Sequence, residues 1–580
     1  MQYPKLKELE TSRKMVSVFN GYNHNLRIAD GEFFDMKNMT SDYYPILSPR
    51  GKRGVYASPA APGGIIAKDE LCYVDGTRFV MGEESVEMGL SSEPKQLISM
   101  GAYVIIMPDK KYVNTMNLKD RGDIEASNTS YTDVKFELCD ITGMPYANAK
   151  VSATAPEGPK NLDLWIDTSS TPRTLKRYSA TSEMWVPITS TYIRISSQFI
   201  GAPFKEYDGV TISGIKGDLV NLNGTTVLWG CGDDYIIVTG ILDATVTQTV
   251  DVGKITITRK MPNMDFVIES ENRLWGCRYG TAVNGEVVNE IYACKLGDFK
   301  NWNCFMGLST DSYAASCGTD GPFTGAATHL GYPLFFKENC VHKVYGNYPA
   351  NFQIQTTACR GVQKGSHKSL AIVNETLFYK SRGAVCAYDG SLPVEASYAL
   401  GNEQYSDAVA GGHGNKYYIS MKDQAGAWHL FVYDVAKAMW HREDNLRVDG
   451  FCSFHGEMYA IDHESRKIIT MLGSGVQDTG RVAWMAQTGP IGTEMPDRKY
   501  ISRLTIRMSM ALGTRVRFLV QYDSMGGWEH LHTITGTNLR SFSIPIRPRR
   551  CDHLRLRIEG DGDARIYSIT KTIEQGSDIA

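Results

Sequence analysis

Two hydrophobic patterns divide the chain. From about residue 480 onward, apolar and polar positions alternate. Leu504, Ile506, Met508 and Met510 are interleaved with Arg503, Thr505, Arg507 and Ser509. Val516, Phe518, Val520 and Tyr522 repeat the rhythm, as do Phe542, Ile544 and Ile546, and then Leu554, Leu556 and Ile558 against Arg555, Arg557 and Glu559. A period of two predicts half-solvated antiparallel strands, here one side of a jelly-roll-like sandwich of about 100 residues. Pro545 assigns the third run to an edge or a bulge, because proline has no N–H to give a central ladder.

Upstream the unit is different. A polar turn leads into a short apolar strand, and the combination recurs as Glu271–Gly276, Gly331–Phe336, Asn374–Tyr379, Gly414–Ile419 and His455–Ala460, with earlier candidates at Asp69–Tyr73 and Met100–Val104. Leu334, Leu377, Tyr417 and Met458 are spaced by 43, 40 and 41 residues, the length of one four-stranded propeller blade. The step of 60 from Leu274 to Leu334 predicts an extra loop of about 20 residues near Gly280–Glu290. Seven candidate units predict six to eight blades, each burying its faces on its neighbours. The spacing breaks between Tyr112 and Thr256, where runs such as Leu164–Ser169 and Thr191–Ile195 predict further strands. The expected fold is therefore all-β: a β-propeller (61–119 and 256–475) with an inserted β domain (120–255), a C-terminal jelly-roll-like β-sandwich (480–580) and an N-terminal arm and entry segment (1–60). A plain β-sandwich with accidental regularity is the alternative.

Composition supports a folded chain. Among 580 residues, 42% are hydrophobic and 22% charged, values of globular domains. Net charge is −3, which argues against general nucleic-acid binding, and no apolar run reaches the roughly 18 residues of a membrane helix. Met1–Lys14 lacks the apolar core of a signal peptide. The twelve cysteines include no CxxC pair, and many sit in strand contexts, so they read as reduced core thiols.

Candidate chemistry is sparse. GxGxxG, P-loop, GxSxG and HExxH motifs are missing, so no cofactor is expected. The histidines have no metal-ligand spacing, and Asp561 and Asp563 form at most a turn that could offer oxygens to calcium. No carboxylate pair can be assigned to glycoside hydrolysis. One charge feature stands out. Residues 498–557 carry 12 Lys and Arg against 3 acids, a balance of +9, and eleven of the twelve are Arg. Arg503, Arg507, Arg515, Arg517, Arg547, Arg549, Arg550, Arg555 and Arg557 are the candidate partner interface, suited to an acidic protein surface or a nucleic-acid backbone. A solvated strand face is the bland alternative.

Several segments carry a resemblance. Val18–Asn23, Asp30–Thr40 and Tyr44–Arg50 resemble the N-termini of tailed-phage virion proteins. Glu271–Gly276, followed by Ile291–Trp302, is similar to the "NRLWG … IYxSxLGDPxNW" run of phage propeller proteins of the podovirus tail-nozzle and tail-hub type, with Cys294 and Phe299 replacing the usual Ser and Pro. Leu164–Thr168 with Trp185 looks like a short element of phage tail proteins. The resemblance implies a non-enzymatic structural component of a tail nozzle, hub or baseplate, made in the host cytoplasm and incorporated in the virion. It implies a homo-oligomeric ring meeting other tail and neck proteins, with DNA passing nearby but not specifically bound. A virion adhesin for host-surface glycans, using Trp528 or Trp428, is the second expectation, and a propeller polysaccharide hydrolase the third.

Overall fold

The computed structural model describes residues 11–282, 285–477, 480–495, 498–536 and 538–575; residues 1–10 of the expected arm and 576–580 of the expected sandwich lie outside them. The chain is all-β, and among the described residues helix is limited to short 3-10 turns.

Seven four-stranded antiparallel sheets form a ring. Their inner strands are Pro62–Ala67 in blade 1, Gln96–Met100 in blade 2, Phe266–Ser270 in blade 3, Gly325–His329 in blade 4, Ala371–Val373 in blade 5, Tyr405–His413 in blade 6 and Val448–Phe454 in blade 7. These strands lie side by side around the axis, blade 7 against blade 1 included. In blade 5 the strand is short, and the 3-10 turn His367–Ser369 completes the wall.

A blade packed between two others has no wet face. Its second strand therefore reads as continuous apolar sequence instead of alternation. Leu334-Phe335-Phe336, Leu377-Phe378-Tyr379 and Tyr417-Tyr418-Ile419 are buried on both faces. Apolar clusters fill the joints: Cys72, Phe79 and Ile106 between blades 1 and 2, Trp275, Ile291 and Phe335 between blades 3 and 4, and Leu71 with Tyr459 and Ile461 between blades 7 and 1.

The polar turns of the repeat join the inner strand to the second. The pairs Ser270↔Arg273, His329↔Tyr332, Val373↔Thr376 and Phe454↔Glu457 close two-residue hairpins. Both turn residues have positive φ in each, as in Glu271 (48°) and Asn272 (62°) or Asn374 (48°) and Glu375 (63°). That is the primed geometry whose twist matches the strands, and it explains the recurrent Asn and Gly.

The extra length of blade 3 is not at Gly280–Glu290. There the strands Arg273–Thr281 and Val287–Ala293 simply extend a hairpin. The excess is the excursion 294–312 before the fourth strand, Tyr313–Ser316. It carries Phe299 and Trp302 into the joint of blades 2 and 3, where apolar burial holds it.

The insert leaves blade 2 after Arg121–Asp123. Its first and last strands, Ala126–Thr129 and Thr256–Arg259, pair with each other, so entry and exit adjoin. Two sheets enclose a core of Phe136, Ile195, Val210, Ile236 and Ile257, and a small third sheet (Lys150–Ser152, Leu164–Asp167, Thr174–Ser179, Met184–Pro187) packs Ile166 and Leu175 onto it.

The C-terminal sandwich stacks two sheets. The first contains Thr11–Val16, Ala564–Gln575, Lys499–Met510 and Arg540–Ile544; the second contains Ala483–Thr488, Leu554–Asp561, Arg515–Tyr522 and Glu529–Thr535. Residues 11–57 are no free arm, for they thread the whole body. Thr11–Val16 edges the sandwich. Gly21–Tyr22 and Glu32–Lys37 bridge Met439–Arg442 of blade 6 to Ala483–Thr488, fusing blade and sandwich into one ten-stranded sheet. Gly54–Ala57 then supplies the fourth strand of blade 7, with Val476–Gln477 paired on its outer side.

Ion pairs hold this thread. Arg53 bonds Glu443 at 2.6 Å and Asp444 at 2.7 Å, and Arg50 reaches the same two carboxylates at 3.4 and 3.2 Å. The arginines hold the Asp444 carboxyl below the usual range against the opposing effect of burial. Truncating Arg53 removes the two shorter bonds and leaves the shielded carboxylates to Arg50 alone, which costs about 1.5–3 kcal/mol. Arg53→Ala is expected to lower the thermal midpoint and to release the strand Gly54–Ala57 first, read as early amide exchange of residues 54–57 in native-state hydrogen exchange.

Candidate interaction surfaces

The structure divides the nine candidate arginines. Arg503 and Arg507 project from the outer face of the first sandwich sheet. Arg515, Arg517, Arg555 and Arg557 belong to the second sheet, whose outer face points the opposite way. Arg547, Arg549 and Arg550 occupy the exposed connection after Arg540–Ile544. They do not form one surface, because strict alternation sends each sheet's polar side chains away from the shared core.

The second-sheet arginines are mostly engaged. Arg517 pairs with Glu559 at 2.8 Å, Arg557 donates to Gln487 at 2.7 Å and stacks over Trp528 at 4.2 Å, and Arg555 lies over Phe34 at 5.3 Å. Arg549 pairs with Glu529 at 2.9 Å. Among the described residues, the guanidinium groups of Arg503, Arg507, Arg515 and Arg547 have no hydrogen bond or ion pair. Arg13 joins Arg503 and Arg507 on the first sheet; 490 residues from Arg503 in sequence, it is revealed only by strand pairing.

The candidate glycan-binding tryptophans have occupied faces: Arg557 covers Trp528, and Arg447 covers Trp428 at 4.9 Å. Asp563 offers its backbone oxygen to Ala511 and Thr514. Among the described residues, no group of three or more His, Cys, Asp and Glu could hold a metal ion.

The propeller axis carries a cavity of about 760 Å³ that touches all seven blades at the ends where their inner strands begin. Ile65, Leu97, Phe266, Val409 and Phe451 make its wall largely apolar. Its carboxylates are partnered. Asp265 accepts from Arg278 and from the Tyr279 N–H, both at 2.8 Å, and Asp449 meets His463 at 2.9 Å. The Lys368 ammonium donates to the Asp449 carbonyl at 2.9 Å, and burial lowers its pKa. His367 is hemmed in by wall atoms, which push its pKa down to about 4 and leave it neutral at pH 7. The cavity offers shape and apolar contact, without an unpaired acid and base facing each other.

Asn301, from the phage-like run, is fully buried and clamps the insert to blade 3. Its side-chain oxygen accepts from the Gly209 N–H at 2.9 Å, and its amide donates to the Tyr207 carbonyl at 2.6 Å. Nearby, Arg259 bonds Asp208 at 2.5 Å.

No family model matches the chain, and no curated protein matches it. Among solved structures, it is similar to Sqt1 of Saccharomyces cerevisiae (9% identity, 72% of this chain and 98% of that one, TM-score 0.30). It is also similar to an exo-β-1,3-galactanase of Phanerochaete chrysosporium (8%, 53% and 94%, TM-score 0.22) and to a sialidase of Trypanosoma rangeli (10%, 97% and 95%, TM-score 0.20). Likeness at these TM-scores carries no argument about this chain.

Two outcomes follow from the buried polar groups. Asn301→Ala leaves the Gly209 N–H and the Tyr207 carbonyl unpaired in a closed joint, at about 1–3 kcal/mol each; faster amide exchange at Tyr207–Gly209, with the blade strands unchanged, is the expected result. His342 in blade 4 and His441 in blade 6 are buried, and desolvation takes their pKa values down to about 4 and about 3. Unfolding lets each take a proton near its ordinary value of about 6.5. The unfolded chain thus binds more protons below that pH, so stability falls on acidification from about pH 6.5 to 4, by at most about 1.4 kcal/mol per pH unit for each histidine. His342→Gln is expected to flatten the fall of thermal midpoint over that window.

Proposed function

We propose that this chain is a structural component of a bacteriophage tail, a stiff piece of a nozzle, hub or baseplate ring that works through contacts with other copies and other tail proteins. The observation that carries the reading is where the phage-like segments lie. Val18–Asn23 and Asp30–Thr40 supply the strands that fuse blade 6 to the sandwich. Tyr44–Arg50 leads into the ion pairs of ring closure. Asn301 ties the insert to blade 3. Residues of a resemblance resting on assembly are thus residues that lock three β bodies into one.

In the axial cavity Asp265 is held by Arg278 and Asp449 by His463. Mass spectrometry of purified phage particles is the test. The expected result is this chain at a fixed copy number, retained in isolated tails, and a purified protein that sediments as a multimer. A protein missing from particles overturns the reading, as does cleavage of host polysaccharide that is lost in Asp265→Asn or Asp449→Asn.

A further inference from the structure

The outer face of the first sandwich sheet has an unusual charge balance. Pairing aligns Arg13, Thr572 and Arg503 in one row across three strands, and Arg507 sits opposite Ser568 and Ser541. With strands about 4.8 Å apart, the Arg13 and Arg503 backbones are about 10 Å apart, and Arg507 lies about 13 Å along its strand from Arg503. All three are exposed and unpaired among the described residues. Around them are short hydroxyls, Thr505, Thr570, Ser541 and Ser543. The acid on this face, Glu574, stands at one end and takes the Tyr500 hydroxyl at 2.8 Å.

Such a face needs carboxylates, and the chain carries them elsewhere. A net −3 against +9 in residues 498–557 leaves −12 on the remainder. The excess is concentrated in blade 1, where residues 69–93 hold seven acids against Arg78 alone. The outermost strand, Glu84–Glu87, pairs on one side only and is an open edge. Glu83 and Glu84 are exposed and have no hydrogen bond or ion pair among the described residues. The Glu70 carboxylate lies over Gly82 beside them, 3.3 Å from where a Cβ would sit. Three like charges gathered at one end of the blade, from two adjacent turns, repel each other unless a cation meets them.

We propose that Arg13, Arg503 and Arg507 dock onto Glu70, Glu83 and Glu84 of a second copy of this chain. The proposal rests on the ring reading and names its contact. The two patches occupy different parts of the molecule. The sandwich is fused to blade 6, and blade 1 lies two blades further round. The contact is therefore head to tail, which closes into a ring when its rotation closes. Arginine favours this match, since its planar fork takes a carboxylate in two bonds. A second copy fits better than nucleic acid: the basic face is small, ends at Glu574, and its complement stands unpaired on the same chain.

The test uses the full chain in sedimentation velocity at low and high salt. The wild type is expected to self-associate, less so at high salt. Arg503→Glu with Arg507→Glu, and separately Glu83→Lys with Glu84→Lys, are expected to weaken association about tenfold or more, with thermal midpoints near wild type. Mixing the two reversed proteins restores complementary charge at every contact and is expected to restore assembly. Assembly unchanged in both variants, or no rescue on mixing, overturns this contact while leaving a multimer built another way. A monomeric wild type overturns both the contact and the ring. Short duplex DNA bound by the wild type and lost in Arg503→Glu with Arg507→Glu, with self-association unaffected, assigns the face to nucleic acid and overturns the proposal.

Discussion

A ring of blades needs closure. Each blade buries apolar surface on two neighbours, so a single open joint would wet two faces at once and leave two sheet edges unpaired. Closure here is entrusted to the chain's beginning: Gly54–Ala57 completes a blade whose other strands come some four hundred residues later. The pairing is short. Its hold comes from the residues just before it, Arg50 and Arg53 on Glu443 and Asp444, and from Ser41, which donates to Asp434 at 2.5 Å. These contacts are shielded, so their geometry matters more than their number. The same thread also carries the strands that fuse the sandwich to blade 6, so ring closure and domain docking are one structural event.

This dependence separates what the sequence displays from what it hides. Blades are legible because their physics is local. A primed two-residue turn demands residues that tolerate positive φ, and a doubly buried strand demands unbroken apolar side chains; together they print a unit near 41 residues. The sandwich is legible for the opposite reason, since each sheet keeps one wet face and Leu504 to Met510 alternate with polar neighbours. The role of residues 11–57 is not legible. Glu32–Lys37 and Gly54–Ala57 are short strands whose partners are hundreds of residues away, and nothing nearby in sequence marks that pairing.

The same rule governs the surfaces. Arg503 and Arg557 look alike in sequence, each alternating with core residues. Which sheet a strand joins decides where its arginine points, and that depends on pairing with Ala564–Gln575 or with Arg515–Tyr522. Hence a linear count of +9 merges two opposite faces, one whose arginines are largely engaged by Glu559, Gln487 and Trp528, the other open and joined by Arg13. Asn301 was visible as a motif residue, but its work in gripping Tyr207 and Gly209 depends on where the insert comes back to the propeller.

Stiffness follows from these joints. The insert is tethered where its paired entry and exit strands leave and rejoin the propeller and is gripped again at Asn301, so two separated contacts fix its direction. The sandwich continues blade 6 through unbroken strand pairing, which resists hinge motion better than a flexible linker would. A piece in which three β bodies cannot swing presents its outer surfaces at fixed relative angles. Symmetric assembly requires that property, because a small angular error at one contact is repeated at every following copy and prevents closure. A binding protein that adapts to varied ligands would gain from looser joints. The bracing at each joint is the feature on which the proposed structural role relies.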